Sequence, residues 1–331
     1  MKKIYFIDIG ARWGIGWPFC DLPHSELSLM LVEPDPEEAQ SLETFYKIKN
    51  IEAKVFQTAL WSESISLQLN LTKALGCSSV FDPNIKILNR FPDVDRFSVS
   101  KKIDFQSDTI DNLYNNKDIK QVDFIKIDVQ GAELEILKGG KFCLKDNLVG
   151  IEVEVEFLEM YKGQPLFSEI DHFIRFELGL QLWDIRKAYW KYKHKNMKST
   201  PAKGRLVYGD ALYFRPIDGI ADWLSIFDTE VAKGKIEVLI QTVLLYGYVD
   251  YAYAQLEDEN VAKYFTNDEN IIITKKIKKV GQGLYLNFKG AGYFYLIFLT
   301  LANLFKPVHE KYGSREGLQL GSKRKNWFWN Y

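Results

Sequence analysis

The sequence predicts an α/β fold: a mostly parallel sheet that ends in an antiparallel hairpin, followed by a mainly helical C-terminal region. Three observations carry this. A β-α-β-α-β rhythm runs from residue 3 to residue 60, which favours a parallel sheet covered on both faces. Two further apolar runs, VDFIKIDV and LVGIEVEVEF, read as buried strands around a helix. After Pro216 the pattern changes to long apolar helical stretches. The expected organisation is a sheet domain over 1–216, with an insertion at 64–106 over one end of the sheet, and a helical domain over 217–331 serving as interface or lid.

The elements follow in chain order. KIYFIDI is apolar and β-branched and runs into Gly10, a strand feeding a glycine turn. SLMLVE is the second strand and ends at Glu33. Pro18 and Pro23 lie between the two, so the first crossover helix must be short or bent. EEAQSLETFYKIKN has helical spacing through Ala39, Leu42 and Tyr46, and AKVFQTAL is a third strand. SISLQLNL and FSVSKKIDF alternate as half-exposed antiparallel strands, which sets the insertion apart. A helix follows Asp108, then the VDFIKIDV strand, then the helix GAELEILKGG with a stop at Gly139. LVGIEVEVEF, a helix over 167–178, LQLWDIR and YGDALYFRP complete the sheet, the last two pairing around a basic loop.

Composition excludes several classes. With 43 Lys+Arg against 44 Asp+Glu, no global field draws the chain to nucleic acid or an anionic surface, and no nucleic-acid partner is expected. The three cysteines have no paired short spacing, against a disulfide framework or zinc knuckle, which with the early Asp8 in the N-terminal apolar run points to the cytoplasm. The longest uncharged stretch, 290–305, falls short of the roughly 20 residues a spanning helix needs. It is expected to be a buried helix, with an interfacial helix as the alternative, so at most peripheral membrane contact is predicted. The four histidines do not cluster, no metal site is predicted, and neither a P-loop nor a G-x-S-x-G elbow is present.

Three constellations carry chemistry. Asp8, Gly10, Ala11 and Gly14 directly follow the first strand, and Glu33 ends the next; such glycines let a cofactor approach the backbone, and an acid about 20 residues on accepts hydrogen bonds from ribose hydroxyls. Asp128 falls where a buried strand emerges into the crevice, and Gly131 and Glu133 open the next helix, with Glu133 favoured as a structural complement to the helix dipole. Glu152, Glu154 and Glu156 share one face of a strand expected to be central. Of these, Glu156 is placed nearest the crevice and Glu152 is read as a paired structural acid. Residues 186–205 hold eight Lys or Arg and no acid, with Tyr189, Trp190 and Tyr192 interleaved, as in a solvated hairpin loop or a site for an anionic glycan or lipid head group.

Taken in order, DIGARWG, VEPDPEEAQSLE, TALWSE, GCSSVFDP, SDTIDNL, DFIKIDVQGAELEILKGG, EVEVEFLEMYKGQPLF and GDALYFR resemble the FkbM family of S-adenosylmethionine (SAM) dependent methyltransferases. The resemblance implies a class I methyltransferase, Rossmann-like sheet, with SAM across residues 8–14 and its ribose on Glu33. It implies O-methylation of a sugar, glycan or secondary-metabolite hydroxyl. Thr58 and Ala59 would then edge the adenine, and Asp128 with Gln130 would face the methionine moiety and the acceptor. Asp128 and Glu156 are the candidate proton acceptors. Arg12 stands where the family usually has Asn, and the likeness stops near residue 215. The competing class is a non-catalytic glycan- or membrane-docking protein that keeps the fold. A small-molecule or glycan acceptor, anionic if the basic loop takes part, and a homo-oligomer are the expected partners.

Overall fold

The computed structural model describes residues 2–195, 204–281, 288–304 and 313–315, with 313–315 described by their backbone alone. The strands are β1 (Ile4–Ile9), β2 (Leu27–Val32), β3 (Ala53–Phe56), β4 (Ala59–Leu60), β5 (Ser66–Thr72), β6 (Val99–Asp108), β7 (Phe124–Ile127), β8 (Gly150–Glu156), β9 (Gln181–Trp190), β10 (Arg205–Phe214) and β11 (Gly313–Arg315). The helices are α1 (Pro36–Ile48), α2 (Ile85–Leu88), α3 (Ile110–Asn115), α4 (Glu133–Gly139), α5 (Lys141–Asn147), α6 (Phe167–Phe176), α7 (Ile220–Leu224), α8 (Thr229–Leu245), α9 (Val249–Glu257), α10 (Glu259–Ala262), α11 (Asn267–Gly281) and α12 (Ala291–Leu304).

The main sheet runs β11-β9-β10-β8-β7-β1-β2-β3. Strands β3, β2, β1, β7 and β8 are mutually parallel, and β10, β9 and β11 add antiparallel to that edge. Ile9 lies opposite both Val32 and Ile127, so β1, β2 and β7 end level with one another. The strand order reverses between β1 and β7, which opens a crevice at their carboxyl ends.

One face is covered by α3, α4, α5 and α6, through Ile110, Leu137, Leu144 and Ile174. The other face lacks a crossover helix between β1 and β2. Two single 3-10 turns, Phe19–Asp21 and His24–Glu26, take its place, because Pro18 and Pro23 deny a continuous helix its hydrogen bonds. The C-terminal helices fill the space instead. Ile236, Leu239 and Val243 of α8 and Ala252 of α9 share one core with Ile4, Phe6, Leu29 and Phe124 of the sheet. Tyr246, at the end of α8, stacks on Phe124 at 5.9 Å, and Phe19 stacks on Phe6 at 4.2 Å. At the opposite edge of β7, Lys235 Nζ donates to Asp123 Oδ1 at 2.7 Å and to the carbonyls of Val122 and Asn147, a fully buried clamp between α8 and the sheet.

Three expectations need correction in detail. AKVFQTAL is not one strand: β3 stays on β2, while Ala59 and Leu60 leave it to pair with Ser107 and Asp108 of β6. GAELEILKGG does not lead straight to the next strand, for α5 starts after Gly140. The apolar stretch at 290–305 does form a helix, α12, but it is exposed rather than buried, since α8 and α9 already fill the open face of the sheet. The insertion folds as β5 and β6 antiparallel with β4 alongside, and its Leu88, Phe91 and Phe97 pack with Tyr161, Trp190 and Val207 beside the sheet end.

Candidate active site

The turn after β1 is held by its neighbours. Gly10 has φ +81°, and a Cβ there would lie 2.0 Å from the Asp128 carbonyl oxygen, so no other residue fits between β1 and β7. Gly14 has φ +79°, and a Cβ there would meet the Tyr46 hydroxyl at 2.8 Å. Ala11 is buried, and its N–H, like that of Gly10, donates to the Val32 carbonyl. An apolar-walled cleft opens beside this turn, lined by Gly10, Pro34, Thr58, Ala59, Trp61 and Val129. Thus Gly10, Thr58 and Ala59, distant in sequence, line one cleft. Trp61, Val80 and Phe105 also line it, and sequence reasoning missed them. For Trp61 and Val80 the signal was their place in TALWSE and GCSSVFDP, and for Phe105 the alternation of the insertion strands, which showed a sheet but not where it docks.

The first acids are tightly constrained. Asp8 is buried with Oδ1 lacking a hydrogen bond, and burial pushes its carboxyl up to about 6 despite Lys126, whose Nζ is 4.0 Å away. Glu33 is buried too: its Oε1 accepts the Asp35 N–H at 2.9 Å and lies 3.5 Å from Arg12 Nη2. Desolvation raises the Glu33 carboxyl, with the Asp35 N–H and Arg12 opposing that. Arg12 reaches over to Asp35 at 2.7 Å.

Beyond β7, Asp128 is the most open acid of the second and third constellations, its side chain 34% exposed, with Oδ2 3.6 Å from Lys126 Nζ. Its Oδ1 accepts the Gln130 amide at 3.0 Å. Gln130 adopts φ +59° and is fully engaged: its amide also donates to Glu154 Oε2, and its Oε1 accepts the Tyr161 hydroxyl. It therefore fixes the loop around Asp128 and has no free amide proton to offer a ligand. Glu133 has the structural role expected of it, in a more specific form, since its carboxylate accepts the N–H groups of Val129 and Gly131.

The three strand glutamates are all buried on central β8. Glu152 is paired as expected, accepting the Tyr246 hydroxyl at 2.6 Å. Glu154 and Glu156 lie with Glu133 in a trio in which one carboxylate oxygen from each comes within 4.8 Å of the other two. Desolvation, then mutual repulsion, pushes Glu154 and Glu156 well above the carboxylate range, and burial takes Glu133 to about 7. Neither Glu156 oxygen meets a donor in hydrogen-bond geometry, though the Gln164 side chain partly offsets its burial. Such a trio can share protons or a cation. Glu156 is closed off from solvent, so of the two candidate proton acceptors only Asp128 has a side chain open to it.

The basic aromatic segment is only partly a loop. Arg186 to Trp190 belong to β9, Arg186 pairs with Asp210 at 2.7 Å, and Trp190 is buried beneath Arg96. Tyr192 stacks on Phe91 at 5.0 Å. The tip, 196–203, and the C-terminal SKRKNWFWNY lie outside the described residues.

A doubly wound sheet whose order reverses at a glycine turn, with acids at the ends of β1, β2 and β7, is an α/β fold of the methyltransferase type. The chain belongs to the methyltransferase FkbM domain family, which matches residues 10–182. Among solved structures it is similar to the methyltransferase FkbM from Methylobacillus flagellatus KT, at 16% identity and a TM-score of 0.36 over 64% of this chain. The chain spans 43% of the length of that structure. It is also similar to the precorrin 8w decarboxylase of Methanobacterium thermoautotrophicum, at 15% identity and a TM-score of 0.31, covering 65% of this chain and 83% of that one. No curated protein matches it. Among the described residues no helix is long and apolar enough to cross a membrane.

Proposed function

We propose that this protein is a SAM-dependent O-methyltransferase acting on a hydroxyl of a sugar, glycan or secondary metabolite. The observation that carries the reading is the convergence of Asp8, Gly10, Glu33 and Asp128 at the strand switch, beside a cleft edged by Thr58 and Ala59. Two features fit a bound cofactor: the Asp8 oxygen without a partner and the Gly10 cradle that any Cβ would close. Asp8, Gly10, Ala11 and Gly14 would hold the methionine end, Glu33 the ribose, and Thr58 and Ala59 the adenine. SAM, when bound, supplies an electrophilic methyl group.

The chain's own task is orientation and proton removal. An acceptor hydroxyl must approach in line, and holding it there supplies much of the acceleration. Asp128, kept in place by Gln130 and Lys126, is the carboxylate positioned to take the proton. Glu154, whose carboxyl burial pushes well above the usual range, supports the loop from behind by accepting the Gln130 amide. On this reading the insertion shapes the acceptor side, the basic strand pair favours an anionic acceptor, residues 217–331, beyond the helices that pack on the sheet, serve as an interface or lid, and the enzyme works in the cytoplasm. Calorimetry with SAM and methyl incorporation from labelled SAM into cell extracts test it. Binding in the micromolar range together with Asp128→Asn losing at least tenfold in transfer is expected; absent SAM binding overturns it. One observation favours a second reading, a non-catalytic docking protein: Arg12 closes on both Asp35 and Glu33, where the family usually has Asn. The same calorimetry separates the two.

A further inference from the structure

Helix α12 is apolar on every side and buried on none. All its described side chains from Gly292 onward are exposed, including Tyr293 at 77%, Phe298 at 66% and Leu304 at 74%. Contiguous apolar surface on this scale marks an interaction site. Pairing with a second copy would cover one stripe of such a helix and leave the rest in water, whereas a lipid environment covers it all round. The Thr300 hydroxyl already has its partner within the helix, donating to the Leu296 carbonyl.

The charge around it selects the kind of surface. From residue 270 to residue 304 the chain has no acid and five lysines, Lys275, Lys276, Lys278, Lys279 and Lys289, all exposed. Four of them sit on α11 and the fifth just before α12. None pairs with an acid among the described residues. A basic stretch that leads in the chain into an apolar helix is complementary to anionic head groups above hydrocarbon. Length sets the depth. Fourteen residues rise about 21 Å, more than the roughly 15 Å of one leaflet's hydrocarbon and less than the roughly 30 Å of the whole, so the helix fits obliquely into one leaflet. Tyr293 and Tyr295, near its start, then lie at head-group level, where tyrosine is favoured.

We infer that α12 anchors this protein to the surface of an anionic bilayer, with the α11 lysines on the head groups. The test is co-sedimentation of the full chain with extruded vesicles of phosphatidylcholine alone and with one quarter phosphatidylglycerol, at low and high salt. Wild-type protein is expected to pellet with the anionic vesicles at low salt, and at least tenfold less with neutral ones. Replacing Lys275, Lys276, Lys278 and Lys279 by Gln should remove that preference. Phe294→Gln with Ile297→Gln and Phe298→Gln should abolish binding to both, with an unchanged circular dichroism spectrum and melting midpoint showing that the fold survives. Wild-type protein remaining in the supernatant with anionic vesicles overturns the inference. So does a dimer in sedimentation velocity that the triple variant dissociates, which would assign α12 to a second copy. None of these readouts depends on SAM.

Discussion

Arg12 Nη2 lies 2.7 Å from Asp35 Oδ2, at the N-cap of α1, and the same nitrogen is 3.5 Å from Glu33 Oε1. The guanidinium thus ties the glycine turn after β1 to the acid after β2. Both sides of the pair are about 90% buried, so it is only weakly screened. Arg12→Ala should leave two neighbouring carboxylates without their cation and cost about 1–3 kcal/mol, the range for a lost charged hydrogen bond with a partner left behind. Urea unfolding measures it, and an unchanged midpoint would show that the tie contributes nothing.

Glu33 should carry the ribose through its second oxygen, since its contacts to Asp35 and Arg12 run through Oε1. Glu33→Ala is expected to weaken SAM binding by about 1–3 kcal/mol, roughly 5- to 150-fold. Calorimetry that returns the wild-type affinity would remove Glu33 from the site.

Gly10→Ala should be far more damaging than a glycine change elsewhere. Its Cβ would overlap the Asp128 carbonyl, whereas Gly163, also with positive φ at +75°, has open space around it. Gly163→Ala should therefore cost only the backbone strain, about 1–2 kcal/mol, and keep SAM binding. Gly10→Ala should force β1 and β7 apart and eliminate binding. Equal melting midpoints for the two variants would contradict the close approach.

Stability should fall as pH rises from about 4 to 7. Burial takes Asp8 from 3.8 to about 6 and Glu133 and Glu152 from 4.5 to about 7. The folded state therefore keeps protons that the unfolded chain releases at lower pH, and ionising these groups costs stability until pH passes their folded values. For Asp8 the full cost is roughly 3 kcal/mol, because a tenfold change in proton affinity between the folded and unfolded chain is worth about 1.4 kcal/mol. Asp8→Asn should stabilise the ligand-free protein above pH 6 and flatten its denaturant midpoint between about pH 4 and 6. A wild-type midpoint that rises over that window would refute the assignment.

Lys235 should be among the most costly residues to replace outside the site. Its ammonium is buried among Asp123, Val122 and Asn147, and Lys235→Met would leave the Asp123 carboxylate buried with only the Tyr5 N–H and the Gln121 amide. A loss of about 3–5 kcal/mol is expected, most of it recovered by adding Asp123→Asn. A double-mutant cycle by urea unfolding checks both; an additive cycle would mean the pair is not coupled.

Much of this molecule was legible from local pattern. The run KIYFIDIG placed Asp8 and Gly10 at a strand end, and α1 buries the same Ala39, Leu42 and Tyr46 that its spacing picked out. The alternation of Glu152, Glu154 and Glu156 with apolar residues put three acids on one face of a strand expected to be central, and that strand is central. These are short-range signals, set by side-chain period and by the needs of a buried strand.

What stayed hidden depended on contacts between distant segments. Glu133 is separated from Glu154 and Glu156 by α4, α5 and most of β8, and only the parallel pairing of β7 with β8 brings the three carboxylates together. The two prolines announced that the β1–β2 crossover could not be a long helix, but not that α8 and α9 would cover the exposed face in its place. Sequence by itself determined the order of elements, the strand ends that bear acids and glycines, and membership of the FkbM family. Tertiary structure alone decided which acids open to the crevice and which are sealed, because solvation of a carboxylate depends on what packs over it from elsewhere in the chain. Asp128 follows β7 and Glu156 ends β8; the first side chain is about one third exposed and the second is fully buried.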